Sequence, residues 1–259
     1  MFSLEGKTAL VTGASRGIGA AIAQAYADAG ADVALAARTV DALEEVAGTI
    51  KATGRKAVAI PTDVTDPDQV EACVARAIAA LGHVDILVNN AGGSDFVAPV
   101  VEIDIEGWRS RVELNLNSVF YACRAIGPHL ADRGSGSVIN VASIAGLGAT
   151  PTIAFYGAAK AGVINLTKTL AHEWGDHNVR VNALCPGWIK TTLNQVLWET
   201  PEIGPKVIAN QAIRRWGETE DVVGAAIWLA SAASTYTTGA AIVIDGGQSS
   251  GHGFTLGLD

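Results

Sequence analysis

Thr12-Gly13-Ala14-Ser15-Arg16-Gly17-Ile18-Gly19 stands between an apolar run at residues 7–11 and an Ala-rich helical stretch at 17–29, which Gly30 closes. Glycines at these positions permit a tight turn and a close approach of backbone to a ligand. A helix starting on such a loop offers unpaired N–H groups and the positive end of its dipole, which together suit a pyrophosphate. The spacing is G-x-x-x-G-x-G rather than the commoner G-x-G-x-x-G. Three loop glycines alone are a weak signal, compatible with a purely structural turn. Their place after a strand and before a helix, at the head of a β/α series, strengthens it.

Outward from the loop the alternation continues. Further strands are expected at 32–37, 56–60, 85–88, 137–141, 179–184 and 241–244, and helices at 41–53, 67–81, 155–174 and 218–231. Residues 105–132 hold one or two helices. Asp66 suits the N-cap of the 67–81 helix, and Gly82 falls past its end. Strands apolar almost throughout are expected where both faces of a sheet are covered. The pattern therefore predicts an α/β fold: a Rossmann-like, doubly wound parallel sheet flanked by helices. No interior linker or repeat interrupts it, so residues 1–259 form one domain. Residues 188–216 fit neither a strand nor a single helix and are expected to cover the ligand site. The tail at 246–259 begins Gly/Ser-rich and continues through Phe254-Thr255-Leu256, either loose or docked on a neighbouring subunit.

Composition narrows the class. Of 259 residues, 49% are hydrophobic and 17% charged, which excludes a disordered chain. A net charge of −8 argues against a uniform nucleic-acid surface. Cys73, Cys123 and Cys185 are few, odd in number and far apart, as in a reducing compartment. No signal peptide and no apolar run of about 20 residues is seen, so a cytoplasmic protein with no membrane partner is expected.

The chain resembles the short-chain dehydrogenases/reductases. T-G-x-x-x-G-x-G is similar to their cofactor loop. The resemblance runs on through Asp63-Val64, Asn89-Asn90-Ala91-Gly92, Ser143, Tyr156-Gly157-Ala158-Ala159-Lys160, Pro186-Gly187 and Ile244-Asp245-Gly246-Gly247, in order along nearly the whole chain. It implies a nicotinamide dinucleotide bound by Gly13, Ser15, Arg16, Gly17, Ile18 and Gly19. Asp63 would contact the adenine beside Val64, and the stretch through Asn90, Ala91 and Gly92 would pass under the cofactor. Pro186, Gly187 and Ile189 would border the nicotinamide, with Thr191 or Thr192 on its carboxamide or the phosphates.

The second strand ends Ala36-Ala37-Arg38, without the carboxylate that binds a ribose 2′-hydroxyl in NAD enzymes. Arg38, aided by Arg16, can pair with a 2′-phosphate, so NADP(H) is expected over NAD(H). Solvated arginines are the bland alternative.

Tyr156 and Lys160 are four apart on a predicted helix and share a face. A free phenol has a pKa of about 10, and a nearby ammonium lowers it. Tyr156 is the expected general acid/base and Lys160 its activator, which in the family also binds the nicotinamide ribose. Ser143 follows the fifth strand and can hydrogen-bond a substrate oxygen. Asn115 lies in Glu113-Leu114-Asn115-Leu116 within an amphipathic helix; the resemblance implies that it holds a water relaying protons to the lysine. Each residue alone has an ordinary structural role. Together, in family order, they point to a ketone/secondary-alcohol oxidoreductase.

No metal is expected: His172 and His177 are five apart and cannot share a helix face in the way of a zinc pair. The substrate pocket is expected to draw on Ser94, Asp95 and Phe96, on Leu147 and its neighbours to Thr150, and on the apolar stretch from Trp188 to Trp198. With Lys190 the one cation there, a neutral, partly apolar ketone or alcohol fits. Three alternatives stand. One is reduction of 3-oxoacyl groups on an acidic carrier protein, weakened by Asp132-Arg133-Gly134 and Asp176-His177-Asn178 at the docking ends. A sugar or steroid dehydrogenase is the second. A non-catalytic nicotinamide-binding module, which has no need of Ser143, Tyr156 and Lys160, is the third. The family often forms homotetramers or homodimers, for which the apolar runs at 225–229 and 240–244 are candidate interfaces.

Overall fold

The central strands are buried because both faces of the sheet are covered. In a computed structural model describing residues 1–94, 96–209 and 211–250, Thr8–Thr12 (β1) is buried along its whole length. It leads into Gly17–Asp28 (α1), Asp32–Ala37 (β2), Val40–Ala52 (α2), Ala57–Pro61 (β3) and Pro67–Leu81 (α3). Ile86–Asn89 (β4) follows, then Ile105–Val112 (α4), Ser118–Arg133 (α5), Gly136–Val141 (β5) and Ala154–Trp174 (α6). The remainder is Val179–Pro186 (β6), Gln195–Glu199 (α7), Gly204–Ile208 (α8), Thr219–Ala230 (α9) and Ala241–Ile244 (β7).

The seven strands pair in the order β3-β2-β1-β4-β5-β6-β7, all parallel. The fold is the expected doubly wound α/β sheet. Side chains from α3, α5 and α6 pack on one face, and those from α1, α2 and α9 on the other. Strand order reverses between β1 and β4, and loops at the carboxyl ends of strands diverge there to leave a crevice. Asp66 caps α3 as expected, its carboxylate accepting from the N–H groups of Asp68 and Gln69.

Two stretches differ from the expectation. Between α4 and α5 the chain makes one wider π-helical turn, Glu113–Asn117, so Asn115 is not in a regular amphipathic helix. Within 188–216 there are two five-residue helices, too short for a hydrophobic period to register. Asn89, Asn140 and Thr167 form a buried polar row. Asn89 Nδ2 donates to Asn140 Oδ1 (2.9 Å), and Asn140 Nδ2 donates to Thr167 Oγ1 (2.9 Å). The row satisfies its polar groups internally and sets the register of α6 against β5. Asp95 and residues 251–259 lie outside the described residues.

Candidate active site

A cleft of about 940 Å³ runs along the carboxyl edge of β3, β2, β1, β4, β5 and β6. Its floor is the glycine loop. Gly13 has φ +64°, and a Cβ there would sit 2.8 Å from Ala91 Cα. A Cβ on Gly19 would collide with the Gly13 carbonyl oxygen and the Asn90 amide. Asn90 Nδ2 donates to the carbonyls of Thr12 and Gly13 (both 3.1 Å), and Thr12 Oγ1 accepts from the N–H of Asn90 (3.0 Å) and of Ala91 (3.2 Å). The β4 loop is thereby stapled to the glycine loop. No side chain caps the start of α1, so its first N–H groups keep their capacity for a ligand.

At one end Arg16 and Arg38, both exposed, line the cleft with Asp63 and Val64. Asp63 Oδ1 accepts from Thr65 N–H (3.0 Å) and Oγ1 (2.8 Å), which fixes the turn after β3.

At the other end Ser143, Tyr156 and Lys160 meet. Ser143 lies just past β5, where its Oγ accepts from Ala145 N–H at 3.1 Å. Its hydroxyl also hydrogen-bonds the Tyr156 phenol. Lys160 is buried, one helical turn on from Tyr156, with Nζ 5.6 Å from the phenol ring centroid and donating to the Val141 carbonyl (2.8 Å). Burial lowers the Lys160 ammonium to about 8. Burial also pushes the Tyr156 phenol above its usual value, with the Ser143 hydrogen bond acting against that rise. Desolvation is the largest influence on the phenol, and the ammonium donates to Val141.

The side chain of Asn115 is held against the β4 loop. Its Nδ2 donates to the carbonyls of Gly93 and Arg111 (both 2.9 Å), and its Oδ1 accepts from Gly93 N–H (2.8 Å). Both amide hydrogens are used, so the side chain clamps the β4 loop.

Of the remaining sequence candidates, Ser15, Gly17, Ile18, Gly92, Pro186, Gly187, Ile189 and Thr191 line the cleft, as do Ser94, Phe96 and Trp188. Three do not. Gly19 lies beneath the loop, pressed on Gly13. Leu147 is 45% exposed and off the cleft. Trp198 is spent on the covering segment itself: its indole N–H donates to the Thr191 carbonyl (3.2 Å), and Lys190 lies over its ring. Val97, Leu114, Ile153 and Gln248 line the cleft without having been singled out. Ile153 sits one turn before Tyr156, a spacing that could have flagged it; Gln248 comes from the tail, and nothing in the sequence marks it. Among the described residues, no three His, Cys, Asp or Glu side chains group as a metal site.

Residues 13–249 match the family described as enoyl-(acyl carrier protein) reductase. A gluconate 5-dehydrogenase of Gluconobacter oxydans is 39% identical over 247 residues, covering 95% of this chain and 96% of that protein. The chain belongs to the short-chain dehydrogenase/reductase family. Within this family, 3beta-hydroxysteroid dehydrogenase 1 of Eggerthella lenta is 38% identical over 256 residues, covering 98% of each chain. The crystal structure of a gluconate 5-dehydrogenase from Burkholderia cenocepacia J2315, in complex with NADP and tartrate, superposes with a TM-score of 0.92 at 36% identity, covering 96% of this chain and 98% of that one. The short-chain dehydrogenase/reductase relatives thus include proteins named for sugar acids and for steroids.

Proposed function

We propose that this chain is an NADP(H)-dependent oxidoreductase interconverting a ketone and a secondary alcohol. The observation carrying this is that one cleft holds Ser143, Tyr156 and Lys160 at one end and exposed Arg16 and Arg38 at the other. The residues present fit the cofactor. A glycine loop without Cβ atoms opens onto an uncapped helix start, and Arg38 offers a planar fork of donors where no carboxylate ends β2. The NADP bound in the Burkholderia relative supports the same choice.

When bound, NADPH supplies a hydride. Tyr156 gives its phenolic proton to the carbonyl oxygen as the carbon is reduced, and takes it back in the reverse direction. Ser143 holds that oxygen by a hydrogen bond. Lys160 would hold the nicotinamide ribose, and its charge would favour the phenolate as it forms. Asn115 keeps Gly93, and with it the wall beside the reacting carbon, in place. The balance is ketone plus NADPH plus one proton, giving alcohol plus NADP+.

A carrier-protein substrate is disfavoured by one contact. Arg133, the basic residue at that docking end, is paired with Asp85 at 2.9 Å. The protein works in the cytoplasm, in keeping with three buried free cysteines and with no helix among the described residues long and apolar enough to cross a membrane. It assembles as a homotetramer or homodimer, using the edge strand β7, on which Val243 is 42% exposed.

The test is kcat/KM for a panel of ketones with each nicotinamide, read at the nicotinamide absorbance. NADPH is expected to exceed NADH by at least about tenfold. Preference for NADH, or no turnover of any ketone, contradicts the proposal.

A further inference from the structure

The last strand delivers a polar side chain to the catalytic end of the cleft. Gln248 stands four residues past β7 and lines the same cleft as Ser143, Tyr156 and Trp188. β7 lies beside β6, and β6 beside β5, so the chain leaving β7 is two strand spacings from the Ser143 end, roughly 10 Å at the usual interstrand distance. Arg38, after β2, is five spacings from β7, roughly 24 Å on the same measure. Gln248 therefore belongs to the end of the cleft where the carbonyl reacts, not to the end that Arg16 and Arg38 line.

A turn built on Asp245 puts it there. Gly246 and Gly247 take φ +64° and +84°, left-handed values open to glycine without strain, and the chain reverses across them. Asp245 Oδ1 accepts from Gly247 N–H (2.9 Å), and Oδ2 accepts from Ser249 N–H (2.6 Å). The Gln248 N–H donates to the Asp245 carbonyl (3.3 Å). Burial alone would raise the Asp245 carboxyl, but the hydrogen bonds from Ser249, Gly247 and Gln248 outweigh it and hold the group below the usual range. The Asp245 carboxylate thus spans the residue whose side chain enters the cleft, bonded to the N–H on either side of it.

The turn is wedged between two other segments. On one side it rests on Gly187, just past β6, where a Cβ would lie 2.7 Å from Asp245 Cβ. On the other, a Cβ on Gly247 would lie 2.7 Å from Ala212 Cβ, and Ile213 N–H donates to the Gly246 carbonyl (2.8 Å). Gln211 is buried there, and its side-chain amide stands 3.5 Å from that of Gln248. A Gln amide carries two donors and a carbonyl with two lone pairs, so one contact to Gln211 leaves capacity to bond a ligand in the cleft. Being both donor and acceptor, it suits a hydroxyl group, which is both as well.

We propose that Gln248 contacts the substrate and selects for a second hydroxyl group several bonds from the reacting carbon, and that Asp245 is the positioning residue that sets Gln248 in the cleft. This rests on the oxidoreductase reading above. Ser143 and Tyr156 hold the oxygen that reacts. Gln248, approaching from the β7 side, holds one that does not, and so fixes which way round the substrate lies.

The experiment compares 4-hydroxycyclohexanone with cyclohexanone, one ring with and without a second hydroxyl, on the full chain and on Gln248→Leu. Two quantities are read: kcat/KM with NADPH, and calorimetric binding to the protein loaded with NADP+, which cannot reduce either ketone. The parent is expected to favour the hydroxylated ketone at least about fivefold in both, the worth of one hydrogen bond. Gln248→Leu should bring that preference to about twofold or less, through KM, with the NADPH Kd unchanged. Asp245→Ala should lose the preference in the same way, and Asp245→Asn, which keeps an acceptor for Gly247 N–H, should regain part of it. A parent preference short of fivefold, or one that survives in Gln248→Leu, overturns the inference. So does a fall in NADPH affinity in Gln248→Leu with the preference intact, which would put the amide on the cofactor. A preference intact in Asp245→Ala overturns the positioning role. A binding preference that Gln248→Leu abolishes, with neither ketone turned over, leaves the inference standing and removes the catalytic assignment instead.

Discussion

At the scale of single residues, a phenol carries its proton at neutral pH, and burial raises the pKa of Tyr156 further. That state is the one needed to protonate a carbonyl oxygen. Alcohol oxidation needs the phenolate, so its rate should climb as pH rises through the shifted pKa while reduction falls. Ser143 supplies the hydrogen bond that lowers the phenol, against desolvation. Ser143→Ala should therefore move the rising limb of kcat/KM for oxidation to higher pH, besides lowering its plateau. A limb that stays put or moves down contradicts the pairing. That Tyr156, Lys160, Ser143 and Arg38 line one cleft was legible in the sequence, because their candidacy rests on residue type and chain order. The balance of forces on Tyr156 was not, because it depends on how deeply the phenol is buried and where Lys160 Nζ points.

At the scale of elements, the strands and long helices were readable because burial on both faces leaves an apolar run and amphipathic packing leaves a period. The π-helical turn at Glu113–Asn117 leaves neither sign, so Asn115 read as part of a regular amphipathic helix. The two short helices of 188–216 were equally silent. Trp198 was placed in the pocket on apolar character, whereas its indole N–H ties down Thr191. The glycine loop joins both kinds of information. Its spacing is visible in sequence, but only the structure shows that Gly19 is required by contact with Gly13 and Asn90 rather than by a ligand. Gly19→Ala should force that junction apart and weaken NADPH binding by at least about tenfold, while the far-ultraviolet circular dichroism stays unchanged. Unaltered affinity would mean that the loop tolerates the shift and does not set the phosphate site.

At the scale of the whole molecule, the opposite edge of the sheet carries its own ionic cluster. Asp85 is buried at the start of β4, where burial alone would raise its carboxyl. The Thr8 N–H (3.0 Å), Arg133 (2.9 Å), and the charges of Lys7 and His83 outweigh that and hold it below the usual range. A carboxylate depressed on folding contributes stability above its unfolded pKa of about 3.9, and that contribution is lost as pH falls through the folded value. Nearby, His129 is lowered by burial and by Arg133, and its Nε2 accepts from Val84 N–H (3.1 Å). It adds stability that is present above about pH 6.5 and fades as acid protonates it. Asp85→Asn should cost about 2 kcal/mol at pH 7 and flatten the loss of stability below pH 4, measured by denaturant unfolding across pH. An acid limb identical to that of the parent protein would place the linkage elsewhere.

In the proposed reaction one phenol moves the proton while the dinucleotide is held independently of it. Tyr156→Phe, assayed for NADPH-dependent ketone reduction and for NADPH binding on the same preparation, tests this most directly. The kcat is expected to fall about 10³-fold with the NADPH Kd within twofold of the parent. A variant that keeps the parent kcat contradicts it.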